Sequence, residues 1–118
     1  MKNGKGKEYF YNGKIKFEGK YSYNRKWNGN MYDFNGNLLM KMKNGKGVGK
    51  EYDMNGRLIY DGEYSNGERN GKGKEYNNKR LIYEGEFFNG KRSGQGKEYY
   101  SIKDISKMEN NKGLFGEY

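Results

Sequence analysis

Cysteine and histidine are both absent from the chain. Without cysteine there is no disulfide framework and no thiolate metal site. Without histidine the commonest general base and the commonest transition-metal ligand are gone as well. Apolar residues are scarce too, at 31% against a usual ~45–50%. No stretch approaches the ~18 apolar residues of a membrane span, and the N-terminus lacks the apolar core of a signal peptide. No Asn-x-Ser/Thr sequon occurs. The expected address is the cytoplasm, with peripheral contact at membranes as the alternative. No cofactor, metal or small-molecule substrate is expected.

Low apolar content with 33% charged residues would place the chain near the disordered class. Aromatic residues argue otherwise, at 17% of the chain, among them 13 tyrosines and 6 phenylalanines. Rings bury large areas while leaving one end wet, which suits a thin structure better than a thick core. The net charge is +9 and unevenly spread. Lys2, Lys5, Lys7, Lys14, Lys16, Lys20, Arg25 and Lys26 face only Glu8 and Glu18 in the first thirty positions, whereas residues 61–90 are nearly balanced. A basic end attracts nucleic acid or an anionic membrane surface. Lys5, Lys7, Lys14, Lys16, Lys20, Arg25 and Lys26 are the candidate contacts for an anionic partner or lipid.

The residues present are repetitive. Tyr60-Asp61-Gly62-Glu63-Tyr64 and the stretch up to Tyr76 return as Tyr83-Glu84-Gly85-Glu86-Phe87 and the stretch up to Tyr99. Gly62 maps to Gly85, Gly67 to Gly90, Gly71 to Gly94 and Gly73 to Gly96, a constant offset of 23 residues. A fixed period of this size marks a repeat architecture. Five units fit within one domain spanning 1–118, at about 4–26, 27–46, 47–70, 71–93 and 94–118. The second is eroded, with Trp27 for the first glycine, Met31 for glutamate and Met42 where Gly19 stood. The last is degenerate and reads as a cap.

Each unit reads as two short strands. Asn-Gly between apolar or aromatic runs signals a type I′ hairpin turn, and it occurs at Asn12-Gly13, Asn35-Gly36 and Asn55-Gly56. Asn78-Lys79 closes a shorter connection and predicts a different turn. Asn89 to Gly94 reads as a longer polar loop between hairpins. Strict alternation puts Leu81, Tyr83, Gly85 and Phe87 on one face, and a neighbouring ring is expected over the gap at Gly85. The prediction is all-β: an elongated single-layer antiparallel sheet of consecutive hairpins, roughly ten strands in one continuous meander. Ile102, Ile105 and Met108 predict a short helical turn in the C-terminal cap.

Catalytic motifs do not emerge. Gly67 to Gly73 is one residue short of a phosphate loop and lacks its Ser or Thr. The recurring carboxylates (Glu8, Glu51, Glu75, Glu98; Glu18, Asp61, Glu84; Glu63, Glu86) sit in equivalent repeat positions, whereas acid/base pairs need different environments. Alternating with lysines, they suit cross-strand ion pairs on a wet face.

The pattern Tyr-x-Gly-x-Tyr/Phe-x-x-Gly-x-x-x-Gly-x-Gly resembles the MORN (membrane occupation and recognition nexus) repeat. Tyr60, Gly62, Tyr64, Gly67, Gly71 and Gly73 carry it, followed by Tyr83, Gly85, Phe87, Gly90, Gly94 and Gly96. Recurring Gly-Lys-Glu-Tyr before Asn-Gly is also similar to the bacterial antitoxin-like variant. The resemblance implies a hairpin array used as a scaffold, as a phospholipid-binding segment, or as an appendage of a catalytic domain.

The expected function is therefore a non-catalytic scaffold or adaptor that binds a protein partner or itself. The alternative is peripheral binding to anionic phospholipid through the basic N-terminal third. Nucleic acid is the weaker partner, since no recognised RNA-binding motif is present.

Overall fold

A computed structural model describes residues 3–101 and Lys103. Nine antiparallel strands follow one another: β1 (Gly4–Tyr9), β2 (Ile15–Ser22), β3 (Arg25–Tyr32), β4 (Leu38–Met42), β5 (Gly47–Tyr52), β6 (Leu58–Ser65), β7 (Glu68–Asn77), β8 (Arg80–Phe88) and β9 (Lys91–Glu98). Each strand pairs only with strands next to it in sequence, and the array is elongated, 53 Å by 30 Å by 24 Å. The helical turn expected from Ile102, Ile105 and Met108 lies outside the described residues.

Two kinds of turn alternate, and they are not where Asn-Gly alone predicts. The tight two-residue turns are Tyr23-Asn24, Asn44-Gly45, Asn66-Gly67, Asn78-Lys79 and Asn89-Gly90, each with positive φ at both residues. That is the type I′ backbone. Asn12, Asn35 and Asn55 do not share it. There the first residue keeps an ordinary conformation and only the following glycine turns left-handed, in three-residue loops closed by Phe10, Asp33 and Asp53. The physical reason is visible at Asp33 and Asp53. Their carboxylates accept the N–H groups two and four residues on, at 2.8–2.9 Å, and so set the first half of the loop. The expected polar loop from Asn89 is instead a tight turn, with β9 starting at Lys91. Asn78-Lys79 differs from the Asn-Gly loops, as the shorter connection predicts.

Glycines line up across the strands. Gly6, Gly19 and Gly29 are cross-strand partners in β1–β3, and Gly49, Gly62, Gly73, Gly85 and Gly96 in β5–β9. A side chain from the preceding strand roofs each row. Built β carbons would stand 2.9 Å from the Phe17 ring at Gly29, 2.9 Å from Met40 at Gly49, 2.4 Å from the Tyr60 hydroxyl at Gly73 and 2.2 Å from the Tyr83 hydroxyl at Gly96. Gly85 likewise lies under the Tyr83 hydroxyl, at 2.8 Å. These roofing residues, with Tyr21, Met31, Met42, Tyr64 and Phe87, form one buried cluster. Its rings meet edge to face at 5.1–5.3 Å. Each such pair contributes about 0.5–1.5 kcal/mol beyond area burial.

The meander divides into a four-stranded and a five-stranded sheet. Between β4 and β5 the ladder stops after a single Lys43–Lys46 bridge at the Asn44-Gly45 turn. Beyond it, the β carbon of Met40 packs on Gly49, so side-chain contact replaces the hydrogen bonds. The erosion of the second unit is thus local. Met40 keeps the roofing role of the rings while Met31 and Met42 fill the former glutamate and glycine positions. On one edge the turns stack directly: Gly45 N–H donates to Trp27 O, Gly67 N–H to Gly45 O and Gly90 N–H to Arg69 O, at 2.8–2.9 Å.

Candidate functional site

The inner face repeats one polar cluster three times. Glu51 accepts the Tyr64 hydroxyl at 2.8 Å and Arg69 Nε at 3.3 Å, and the Arg69 guanidinium lies 4.6 Å from the Tyr60 ring centre. Glu75 pairs with Arg92 at 2.9 Å, and Arg92 lies 4.6 Å from the Tyr83 ring. Glu8 accepts Tyr21 at 2.7 Å and pairs with Lys26 at 3.2 Å, with Lys26 5.7 Å from Phe17. Glu8, Glu51 and Glu75 are therefore not on a wet face as expected. They belong to the ringed inner face, where a cation over each ring neutralises them. The spacing from glutamate to cation, 17 or 18 residues in every case, was present in the sequence as a signal.

The first cluster holds one extra charge. A register shift after Glu8 leaves Lys16 as the unpaired strand residue, turned inward and 7% exposed. The equivalent shifts single out Leu39, Ile59 and Ile82. Lys16 thus occupies a position that is apolar elsewhere, 3.7 Å from Glu8. Burial and the neighbouring Lys26 hold its amine below the ordinary lysine value, with Glu8 offsetting only part. Burial would raise the Glu8 carboxyl, but Lys26, the Tyr21 hydroxyl and Lys16 outweigh it and hold it low. Burial also pushes Tyr60 up to about 12, and Tyr21 and Tyr64 higher still.

The outer face carries charges in rows beside the glycines. Lys50, Asp61, Lys74, Glu84 and Lys97 are successive cross-strand partners of alternating sign. Across the glycine row, Glu63 and Glu86 curl over Gly71 and Gly94, where Glu86 accepts the Gln95 N–H at 3.0 Å. A shallow trough of about 720 Å³ follows this glycine floor. In the first sheet Lys7 pairs with Glu18 at 3.4 Å, but Lys5 stands opposite Lys20. Lys20 fills the place that Glu63 and Glu86 hold in the later units.

The seven basic residues proposed as one surface are consequently divided. Lys5, Lys7 and Lys20 lie together over Gly6 and Gly19. Lys14 reaches Asn35 O at 3.4 Å at the loop edge. Arg25 pairs with Glu68 at 3.3 Å, and Lys16 and Lys26 belong to the inner cluster. Of the glycines read as repeat markers, Gly62, Gly73, Gly85 and Gly96 form the row. Gly67 and Gly90 close tight turns, and Gly71 and Gly94 take positive φ beside the glutamates. Tyr60, Tyr64, Tyr83 and Phe87 are buried on the inner face. Among the described residues no group of three or more carboxylates could hold a metal ion, and no helix is long and apolar enough to cross a membrane.

Sequence reasoning did not locate the two ends of the array. Among the described residues β1 has only β2 as a strand neighbour and β9 only β8, so each leaves one side of its backbone ladder open. No curated protein and no solved structure matches the chain. The MORN repeat family model matches residues 1–15, 60–79 and 83–105, segments that fall on β1, on β6 and β7, and on β8 and β9. Hairpin after hairpin, with glycines aligned across the strands, the chain carries MORN repeats at these three segments.

Proposed function

We propose that this chain is a non-catalytic scaffold that binds a protein partner through its open strand edges. MORN repeats are a non-catalytic repeat type found in proteins that mediate protein or membrane interactions. The observation that carries the reading is the outer ladder of β1 and of β9, unpaired among the described residues. Such edges pair with another chain unless they are blocked. Supporting it, the carboxylates of the inner face are engaged by cations and hydroxyls, which leaves them poorly suited to acid/base work. The lipid reading loses Lys16, Lys26 and Arg25 to internal ion pairs.

Photo-crosslinking amino acids placed in β1, in β9 and at Lys74 in β7, the middle strand of the second sheet, test this in cells expressing the protein. Protein adducts from β1 or β9 and none from Lys74 are expected. Co-sedimentation with vesicles containing phosphatidylserine or phosphoinositide, at low and raised salt, tests the competing reading. Salt-sensitive pelleting lost on Lys5→Glu/Lys20→Glu, with no edge adducts, would overturn the scaffold assignment.

A further inference from the structure

Strand β1 reads Gly4-Lys5-Gly6-Lys7-Glu8-Tyr9, and the same six residues recur within β7 as Gly71-Lys72-Gly73-Lys74-Glu75-Tyr76. The two copies differ in their surroundings. In β7 the hexapeptide lies between Tyr60-Asp61-Gly62-Glu63-Tyr64 of β6 and Tyr83-Glu84-Gly85-Glu86-Phe87 of β8. Gly73 faces a glycine on both sides. Lys74 stands between Asp61 and Glu84, and Lys72 opposite Glu86. Among the described residues β1 has a strand on one flank only, and there Lys5 meets Lys20 instead of a carboxylate. Among the described residues neither Lys5 nor Lys20 is paired with an acid.

Gly6 differs as well, because the ring over it is Tyr21 of the following strand, 2.8 Å from a built β carbon. Gly29, Gly49, Gly73 and Gly96 each lie under a side chain of the strand before them. No strand precedes β1 among the described residues.

We propose that the open side of β1 accepts an extended segment of a partner protein as an added antiparallel strand, with the pattern aromatic–acidic–glycine–acidic–aromatic. This rests on the scaffold reading above and names the edge and the chemistry of its partner. Backbone hydrogen bonds supply the pairing, and the side chains supply the choice. The segment's glycine sits opposite Gly6, its two carboxylates stand against Lys7 and Lys5, and its leading aromatic falls opposite Glu8, as Tyr60 falls opposite Glu75. Opposite-charge cross-strand pairs contribute about 0.2–1 kcal/mol each. The described strands of a second copy do not fit. Strands β6 and β8 carry the pattern but are paired on both sides, and the open edge of β9 would set Lys97 against Lys5 when Gly96 meets Gly6.

The test uses a synthetic peptide, Leu-Ile-Tyr-Asp-Gly-Glu-Tyr-Ser, which copies β6. Added to the isotope-labelled full chain, it should shift the amide resonances of β1 and slow their exchange, leaving β9 unchanged. Lys5→Glu/Lys7→Glu, checked for an unaltered circular dichroism spectrum, should weaken binding about tenfold or more, and Lys97→Glu should not. Equal binding of a peptide with lysine in place of both acids would overturn the proposal. So would shifts confined to β9, or a concentration-dependent dimer abolished by Lys5→Glu. Absent peptide binding with edge adducts from β9 would sink this inference alone. Absent binding with no adducts from either edge would remove the scaffold reading too.

Discussion

The Tyr60 hydroxyl stands over Gly73 of the next strand, 2.4 Å from where a β carbon would be. Tyr60 is fully buried and donates that hydroxyl to Glu63 O at 2.8 Å, so the ring has no room to retreat. Gly73→Ala should therefore destabilise the chain by about 1–3 kcal/mol, the usual cost of overpacking. Lys97→Ala, an exposed change on the same sheet, should stay within about 0.5 kcal/mol. Denaturant midpoints measure both, and equal effects would contradict the roofing role of Tyr60.

Tyr23-Asn24 and Asn78-Lys79 take positive φ at all four positions without a glycine. The equivalent turns elsewhere are Asn-Gly. Left-handed backbone at ordinary residues costs about 1–3 kcal/mol, and asparagine tolerates it better than most. Lys79→Gly, and separately Tyr23→Asn/Asn24→Gly, should each stabilise the chain by about 1 kcal/mol. A rise in the thermal midpoint reads this directly, and a fall would show that these turns are held by other contacts.

Lys16 lies where the other units place leucine or isoleucine. Replacing a buried charge by a well-packed apolar residue is often neutral or stabilising by about 1–4 kcal/mol, whereas removing its partner is costly. Lys16→Ile should thus leave stability unchanged or raised, because Glu8 keeps Lys26 and Tyr21. Glu8→Ala should lower it by about 3 kcal/mol, and combining it with Lys16→Ile should recover part of that loss. A double-mutant cycle in urea decides the matter, and strict additivity would contradict the coupling.

Carboxyls held below their ordinary values stabilise the fold above those values and lose the contribution as the pH falls. Glu8 is one, by the balance of burial against Lys26, Tyr21 and Lys16. Asp33 is another, through the Asn37 N–H and side chain and the loop N–H groups. At Asp53 burial is outweighed by the N–H groups of Arg57 and Asn55 and by the Arg57 charge. The thermal midpoint should be level above about pH 5 and fall below it, with Glu8→Gln showing a lower plateau and a shallower fall. The buried tyrosines act in the opposite sense. Their contribution is complete below pH 10, the ordinary phenol value, and declines as the pH rises towards the raised value of about 12 at Tyr60.

The repeat, the strands and the rings were legible because each is a local pattern: glycine spacing, alternation, and tyrosine in place of aliphatic residues. Turn types were not. Asn12-Gly13 and Asn66-Gly67 are the same dipeptide, yet the first sits in a three-residue loop and the second in a two-residue turn. What separates them is the pairing of the flanking strands, a non-local property. The division of the basic residues was equally hidden, since charge along a chain does not say which lysine a register shift turns inward.

Residue order alone determined that this chain is a row of hairpins covered by rings, because glycine period and strand alternation leave no other way to shield so few apolar atoms. Tertiary structure decided where the row is interrupted, which charges neutralise one another, and that among the described residues β1 has one strand neighbour while its identical twin in β7 has two. Those outcomes depend on which strand lies beside which, and identical six-residue sequences cannot encode different neighbours.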